Sequence, residues 1–489
     1  MIRRKYLIAA AAALLAAHTG LFAKGDTYIY DVWQNVEHSP DAYRVTDVFY
    51  AKDFGLEKEL VNPSSLFCRG NTLYLVDSGN NRILEFLYKA DKSLEFVRSI
   101  EEFNAPAGVQ GTFAAPSDVY VSADGSFFVA DTEHGRVVRI DKDLNYVLSF
   151  TEPDDPTYEA GKTFLPQKVV ADSKGRVYVL AKNVNKGFIK YEDNGTFTGF
   201  YGASDVTYNW TDYLWKKFAT KAQREQMESF VPTEYSNAYL DKEGFIFAVL
   251  KTFKPSELLN DQAKPIRRLN ALGGDILIKN WDPPVGDLQW GTAAGQENPS
   301  HFTDITVLDN EVYIALDETR GRLFAYDNQG ELLFAFGNPG NIDGYFRLPV
   351  AIEHCGRDLF VLDQTSCTIT LFSPTQFGDY IYNATEYYAA GEYDLSAAEW
   401  DKVMRLNGNY DLAYAGLGKA RLRQNKYKEA MDYFRAKYFR RYYSKAFMYY
   451  RKEWIEQHLG WVLAVLCMLI FIPFAVKRIL SFKRELESL

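Results

Sequence analysis

Three aspartates stand five residues ahead of an arginine: Asp77/Arg82, Asp131/Arg136 and Asp317/Arg322. A carboxylate and a guanidinium so spaced form a charge-assisted pair, which serves either a binding site or the tying of a turn. Each pair flanks a short connection between two apolar runs, so the tie is the simpler reading. A second set has more chemical reach. Asp118, Asn237, Asp304 and Glu234 offer oxygen atoms, Lys168 offers an ammonium, and Trp281 and Trp290 offer flat apolar faces of the kind that stack on sugar rings. No Ser-His-Asp arrangement, phosphate-cradling glycine loop or C-x-x-C zinc spacing accompanies them, and the chain has only six histidines. This inventory suits recognition better than catalysis. A net charge of −9 argues against a nucleic-acid partner.

The elements that position these residues come as a repeat. A proline opens each unit, an apolar strand follows, then a turn, a second apolar strand ending in Asp, and a third strand. The first copy has Pro63, Leu73 to Asp77 and Arg82-Ile83-Leu84; the second has Pro116, Phe127 to Asp131 and Arg136-Val137-Val138. The third has Pro166 and Val177 to Leu180, and the sixth Pro349 and Leu359 to Asp363. Tyr235 and Phe302 replace the proline in the fourth and fifth. Proline and strand-end Asp are 14 or 15 residues apart wherever both exist. Short β-rich segments repeating at roughly 40–60 residues specify a β-propeller, because a lone four-stranded blade cannot bury its own faces. Six copies give six blades, strands a to d from the axis outward. The second residue after each proline position then faces the channel mouth: Ser65, Asp118, Lys168, Asn237, Asp304 and Ala351.

The last copy has strands a, b and c, but helical sequence begins before a strand d. An open ring exposes strand edges. The segment 24–60 is expected to close it, either through Tyr43 to Tyr50 or through Thr27 to Trp33. Strand direction alternates, so d–a and b–c connections lie on one face and a–b and c–d turns on the other. The long excursions, 151–164, 201–234, 251–264 and 280–301, are all d–a or b–c. That elaborated face is the candidate working face. A helical insertion is expected within 203–234, where Trp210, Trp215 and Phe218 share an apolar side.

These motifs resemble NHL-repeat propellers, the class that includes the gluconolactonase/senescence-marker group; the resemblance covers residues 61–375. It implies a fold directly and an activity only indirectly. A gluconolactonase-like calcium site would draw oxygen from Asp118, Asn237 and Asp304, with Glu234 nearby, and would make the chain a metal-dependent lactonase-like hydrolase. Lys168 is a competing cation in the same ring, and no family ligand maps by motif, so no resident metal or cofactor is assigned.

From Phe377 to Met448 the period turns helical. Tyr380, Tyr387, Gly391, Tyr393 and Trp400 recur 34 residues later as Tyr414, Arg421, Asn425, Tyr427 and Phe434. That is the tetratricopeptide spacing, and Leu417-Gly418, Tyr427, Ala430 and Phe434 resemble its signature, while Ala384 and Ser396 depart from it in the first copy. A further helix from Tyr442 to His458 leads into Leu459 to Val476, 18 residues without a charge, enough to span a bilayer as a helix. Residues 449–478 thus form an amphipathic helix and a span, and 479–489 a basic tail. At the other end, Arg3, Arg4 and Lys5, the apolar run Leu7 to Ala17 and Ala23 read as a secretory signal over residues 1–23. Cleaved or retained, it puts the bulk outside the cytoplasm and the tail inside, as does Lys477-Arg478 after the span.

The cysteines are few. Cys467 lies in the span, and Cys355 and Cys367 sit on opposite faces of one blade. Cys68 and Cys355 occupy matching turns of the first and sixth blades, so a bond between them is open once the ring closes.

The fold expected is mainly β: a six-bladed propeller, then a small all-α tetratricopeptide-like segment, then one transmembrane helix. The function expected is extracytoplasmic recognition of a glycan or partner protein by the loop-rich face, at the cell membrane. Proteins of similar domain order resemble accessory components of carbohydrate-type ABC transport systems. The alternatives are the channel hydrolase and a scaffold whose tetratricopeptide part grips a membrane partner.

Overall fold

The computed structural model describes residues 27–487 except 32, 34, 156–157, 159–162, 183, 185, 203–234, 251–263, 279–284 and 287–299. The chain divides into two compact units, Met1–Tyr382 and Asn383–Leu489.

The first unit is a six-bladed propeller. Blade one comprises Pro63–Arg69, Thr72–Asp77, Arg82–Tyr88 and Leu94–Ile100, each antiparallel to the next. Blades two and three repeat this order from Pro116–Val121 and Pro166–Ala171. Blade four has three strands among the described residues, starting at Tyr235–Leu240. Blade five starts at Phe302–Val307 and blade six at Pro349–Cys355.

Closure comes from the N-terminal segment. Tyr43–Tyr50 pairs along Thr368–Pro374 as the outermost strand of blade six. The other candidate, around Tyr28–Tyr30, instead joins the outer edge of blade five and carries Val36–His38 beside it. Blades one and six are further joined by a Cys68–Cys355 disulfide, and by Lys92 Nζ and Tyr88 OH on Asp358 at 3.0 and 2.7 Å.

Small hydroxyl side chains stitch neighbouring blades. Ser64 Oγ donates to the Ser117 carbonyl at 2.8 Å, Ser117 Oγ to that of Gln167 at 2.8 Å, and Ser236 Oγ to that of Phe302 at 2.8 Å. Each is the residue after the opening position of strand a, so the Pro63-Ser64 and Pro116-Ser117 dipeptides are inter-blade contacts. The high aromatic content has the same purpose. Tyr74 meets Phe127 between blades one and two, Phe247 meets Tyr313 between four and five, and Tyr88 meets Phe360 between one and six. Burying one such ring contributes about 1.5–3 kcal/mol.

The turns explain the recurring Asp-x-x-Gly sequences at Asp172, Asp241 and Asp327, and Asp141 makes the same turn with Leu144 in the glycine place. Asp141, Asp172, Asp241 and Asp327 each accept, through Oδ1, the N–H groups two and four residues on. An Asx turn of this kind adds to the main-chain bonds, such as that from Gly175 N–H to the Asp172 carbonyl at 2.9 Å, and lets the hairpin reverse tightly.

After Pro374 the chain enters helix α1, Gln376–Ala390. Its start is fixed by Thr375, whose N–H donates to the Ala42 carbonyl at 2.9 Å and whose Oγ1 donates to Asp41 O. Gly378 follows because a Cβ there would sit 2.2 Å from the Ala42 oxygen.

In the second unit, α1 is followed by α2 (Tyr393–Leu406), α3 (Asp411–Arg423), α4 (Tyr427–Ala436) and α5 (Arg440–Glu487). Ser396 Oγ donates to the Ala384 carbonyl at 2.8 Å and so joins α2 to α1. In the second pair a Cβ on Gly418 would lie 2.5 Å from the Phe434 ring. The start of α5 packs on α4 through Ala446 and Tyr442, and the helix then continues without a break into the apolar run. Among the described helices α5 alone is long and apolar enough to cross a membrane; its most apolar window has a mean hydropathy of 2.6 and none of it is buried.

Candidate functional site

Strand a of every blade begins with the same irregularity. The first residue pairs with the end of strand b, one residue is skipped, and pairing resumes at the third: Ser65, Asp118, Lys168, Asn237, Asp304 and Ala351. A bulge of this kind re-aims the side chain that follows it. Six equivalent bulges therefore build one ring from residues spread over 287 positions of the chain.

Within the ring the polar side chains form two groups. In blades one to three, Ser65 Oγ donates to Asp118 Oδ1 at 2.5 Å, and Lys168 Nζ lies 3.5 Å from the same oxygen. The main-chain N–H of Val169 donates to Asp118 Oδ2 at 2.9 Å. In blades four to six, Asn237 Nδ2 donates to Asp304 Oδ1 at 2.5 Å, and Ile352 N donates to Asp304 Oδ2 at 2.7 Å. Each carboxylate thus grips the backbone of the following blade. Burial pushes the Asp304 carboxyl up to about 7; the Lys168 charge and the N–H groups of Ile352 and Ile305 pull it down, and Glu353 adds to the rise.

These partners limit what the ring can do. Both oxygens of Asp118 and of Asp304 already accept N–H or O–H hydrogens. A calcium ion needs several oxygens turned toward one point. Among the described residues no three His, Cys, Asp or Glu side chains converge, and Glu234 lies outside them. The carboxylates act as inter-blade fasteners, with Lys168 as their counter-charge.

A second tier lies two residues further along strand a, on the same side by the period of a strand. It comprises Phe67, Tyr120, Val170, Tyr239, Thr306 and Glu353. Thr306 Oγ1 lies 3.1 Å from Glu353 Oε1 and 2.7 Å from His354 Nδ1, while the Arg69 guanidinium covers the Phe67 and Tyr120 rings. Stepping the ring by two would have found this tier in the sequence.

The Asp/Arg pairs tie turns. Arg82 Nε meets Asp77 Oδ2 at 2.8 Å, and Asp77 Oδ1 accepts from Val61 N. Arg136 and Asp131 repeat the contact at 2.8 Å, with Ala114 N on Asp131. Each pair anchors the loop entering its blade. In the third, Asp317 accepts from Thr319 N at 2.9 Å while the Arg322 guanidinium covers the Tyr28 ring. Glu234, Trp281, Trp290 and the insertion 203–234 lie outside the described residues.

Residues 113–140 match the NHL repeat family. Those residues contain strands a to c of blade two. Comparison with curated proteins finds no match. Among solved structures, virginiamycin B lyase from Staphylococcus aureus is similar at 10% identity, covering 68% of this chain and 100% of that one, with a TM-score of 0.39. A structural-genomics protein of unknown function from Bacteroides thetaiotaomicron is similar at 11% identity, 67% and 72% coverage and a TM-score of 0.40. A structure provisionally assigned as a gluconolactonase gives 10%, 68%, 92% and 0.38. None of these carries an activity over to this chain.

Proposed function

We propose that this chain is an exported recognition protein, held in the cell membrane by α5 and binding a glycan or a partner protein through the loop-rich face of its propeller. The observation that carries this reading is the asymmetry of the connections. The described a–b and c–d hairpins are short, from Gly70-Asn71 to Asp327–Glu331, whereas the d–a connection from blade three to blade four runs from Gly202 to Glu234. A rigid ring with a long connection of this kind on one face is suited to binding there. The chain leaves the ring from the opposite face: Thr375 joins Ala42 beside the a–b turn of blade six, where Arg357 Nη1 meets Asp379 at 3.1 Å.

Three further features support export and anchoring. Residues 1–23 have the form of a secretory signal, a disulfide suits an oxidising compartment, and Leu459–Val476 is apolar, helical and exposed. On this reading residues 479–489 are cytoplasmic. The domain order makes a carbohydrate transport complex the partner to look for.

The test is direct. Full-length protein in detergent is titrated with a panel of oligosaccharides while tryptophan fluorescence is followed, and partners are captured from native membranes in parallel. Trp281→Ala and Trp290→Ala should abolish the glycan response. Partner capture that survives deletion of the propeller but not of residues 377–448 would replace this reading with the scaffold.

A further inference from the structure

Blade four differs from its neighbours at its outer edge. Its third strand, Ile266–Leu269, is followed by a turn and then by Asp275–Ile278, which makes a single bridge, Asp275 to Leu269, and among the described residues no fourth strand pairs with it. A cavity of about 170 Å³ lies here against blade five, on the short-turn face. Its inner wall is apolar, built from Phe247, Leu277 and Val307. Its mouth is charged: Asp241, Glu243, Asp309 and Glu311 against Lys242 and Arg268.

The two cations are already engaged. Arg268 Nη2 lies 2.7 Å from both Asp241 Oδ2 and Glu243 Oε2, and Lys242 Nζ donates to the main-chain oxygen of Asp309. Among the described residues no cation pairs with the Asp309 or Glu311 carboxylates; Glu311 accepts only an amide hydrogen from Asn328, at 2.8 Å. Three aliphatic side chains around this edge are exposed: Leu272 at 94%, Ile276 at 41% and Ile278 at 56%.

We propose that this cavity receives a lysine or arginine side chain of a partner polypeptide. Its volume suits one side chain, since a cavity of about 150 Å³ holds a single benzene-sized group. The aliphatic stem lies against Phe247, Leu277 and Val307, as long basic side chains do on apolar surface. The charged end meets Asp309 and Glu311. An acidic side chain is repelled by four carboxylates facing two cations that are already paired. A free alkylamine would leave Leu272, Ile276 and Ile278 in water, whereas a polypeptide covers them. This surface is separate from the loop-rich face, so the two readings stand or fall independently.

The probes are the peptide acetyl-Val-Thr-Lys-Val-Thr-amide, its norleucine counterpart and cadaverine. Each is mixed with full-length protein in detergent, and saturation-transfer NMR reads contact with the protein. The lysine peptide should show at least threefold more transfer than the norleucine peptide. The double variant Asp309→Asn/Glu311→Gln should remove that preference, with circular dichroism confirming the fold. Asn328→Lys, which places a cation beside Glu311 from within, should suppress it too. Equal transfer from the two peptides, or an unchanged preference in the double variant, overturns the proposal. Cadaverine matching the lysine peptide overturns the polypeptide and leaves a small-amine site.

Discussion

Cys68 and Cys355 are 287 residues apart in sequence and joined by a disulfide, with their Cα atoms at 6.3 Å. Cys68 lies on strand a of blade one and Cys355 on strand a of blade six, so the bond fastens the ring at its only seam between the first and last repeats. Cross-linking so long a loop restricts the unfolded chain strongly; measured native bonds contribute about 2–5 kcal/mol. Replacing both cysteines by serine should lower stability by that amount, read as a shift of the denaturant midpoint. Dithiothreitol should reproduce the loss in the natural protein and leave the variant unchanged. A midpoint insensitive to reduction would show that the strand Tyr43–Tyr50 closes the ring unaided.

Asp304 should give stability a distinctive pH dependence. Its folded pKa of about 7 lies above the ordinary 3.8, so the folded protein holds a proton that the unfolded chain has released. This contribution is greatest below pH 4 and is lost as pH rises toward 7. Three pKa units correspond to at most about 4 kcal/mol. Lys168 and Glu353 act on this carboxyl and remain in a variant. Asp304→Asn should flatten the profile between pH 4 and 7. It should also cost about 1–3 kcal/mol throughout, because one of the two accepting oxygens becomes an amide donor facing either Ile352 N or Asn237 Nδ2. A variant profile parallel to that of the natural protein would remove Asp304 as the source.

The Asp77–Arg82 pair is buried, with both side chains almost wholly excluded from solvent. Asp77→Ala strands the guanidinium and frees Val61 N, and should destabilise the propeller by about 3–5 kcal/mol. Chemical denaturation of the variant measures this. A change below about 1 kcal/mol would mean that the loop before blade one relaxes to solvate Arg82.

Gly418 is packed against the Phe434 ring. Gly418→Val should separate α3 from α4 and destabilise the helical unit by about 1–3 kcal/mol or more. The helical circular dichroism signal should melt earlier while the propeller transition stays in place. Loss of both transitions together would show the two units to unfold as one.

Six copies of one strand pattern, three of them with both the opening proline and the closing Asp, were enough to specify six blades, because an apolar strand that alternates sides must find a neighbour on each face. The ring of position-three residues was legible for the same reason: it is a fixed offset from Pro63, Pro116, Pro166 and Pro349. The 34-residue echo and the uncharged run after His458 likewise declared helices α2 to α5.

Tertiary structure decided what those residues do. Asp118 and Asp304 offer oxygens in sequence, and in the fold those oxygens accept from Val169 N and Ile352 N, donors that come close only when blades stack. The choice between Tyr28–Tyr30 and Tyr43–Tyr50 for the sixth blade depended on which free edge each reached, and the cavity of blade four is lined by residues of two blades that meet only when they stack. Periodicity is a local property that the chain carries with it. Which groups satisfy one another across hundreds of residues is settled only when the ring closes and water is excluded from its seams.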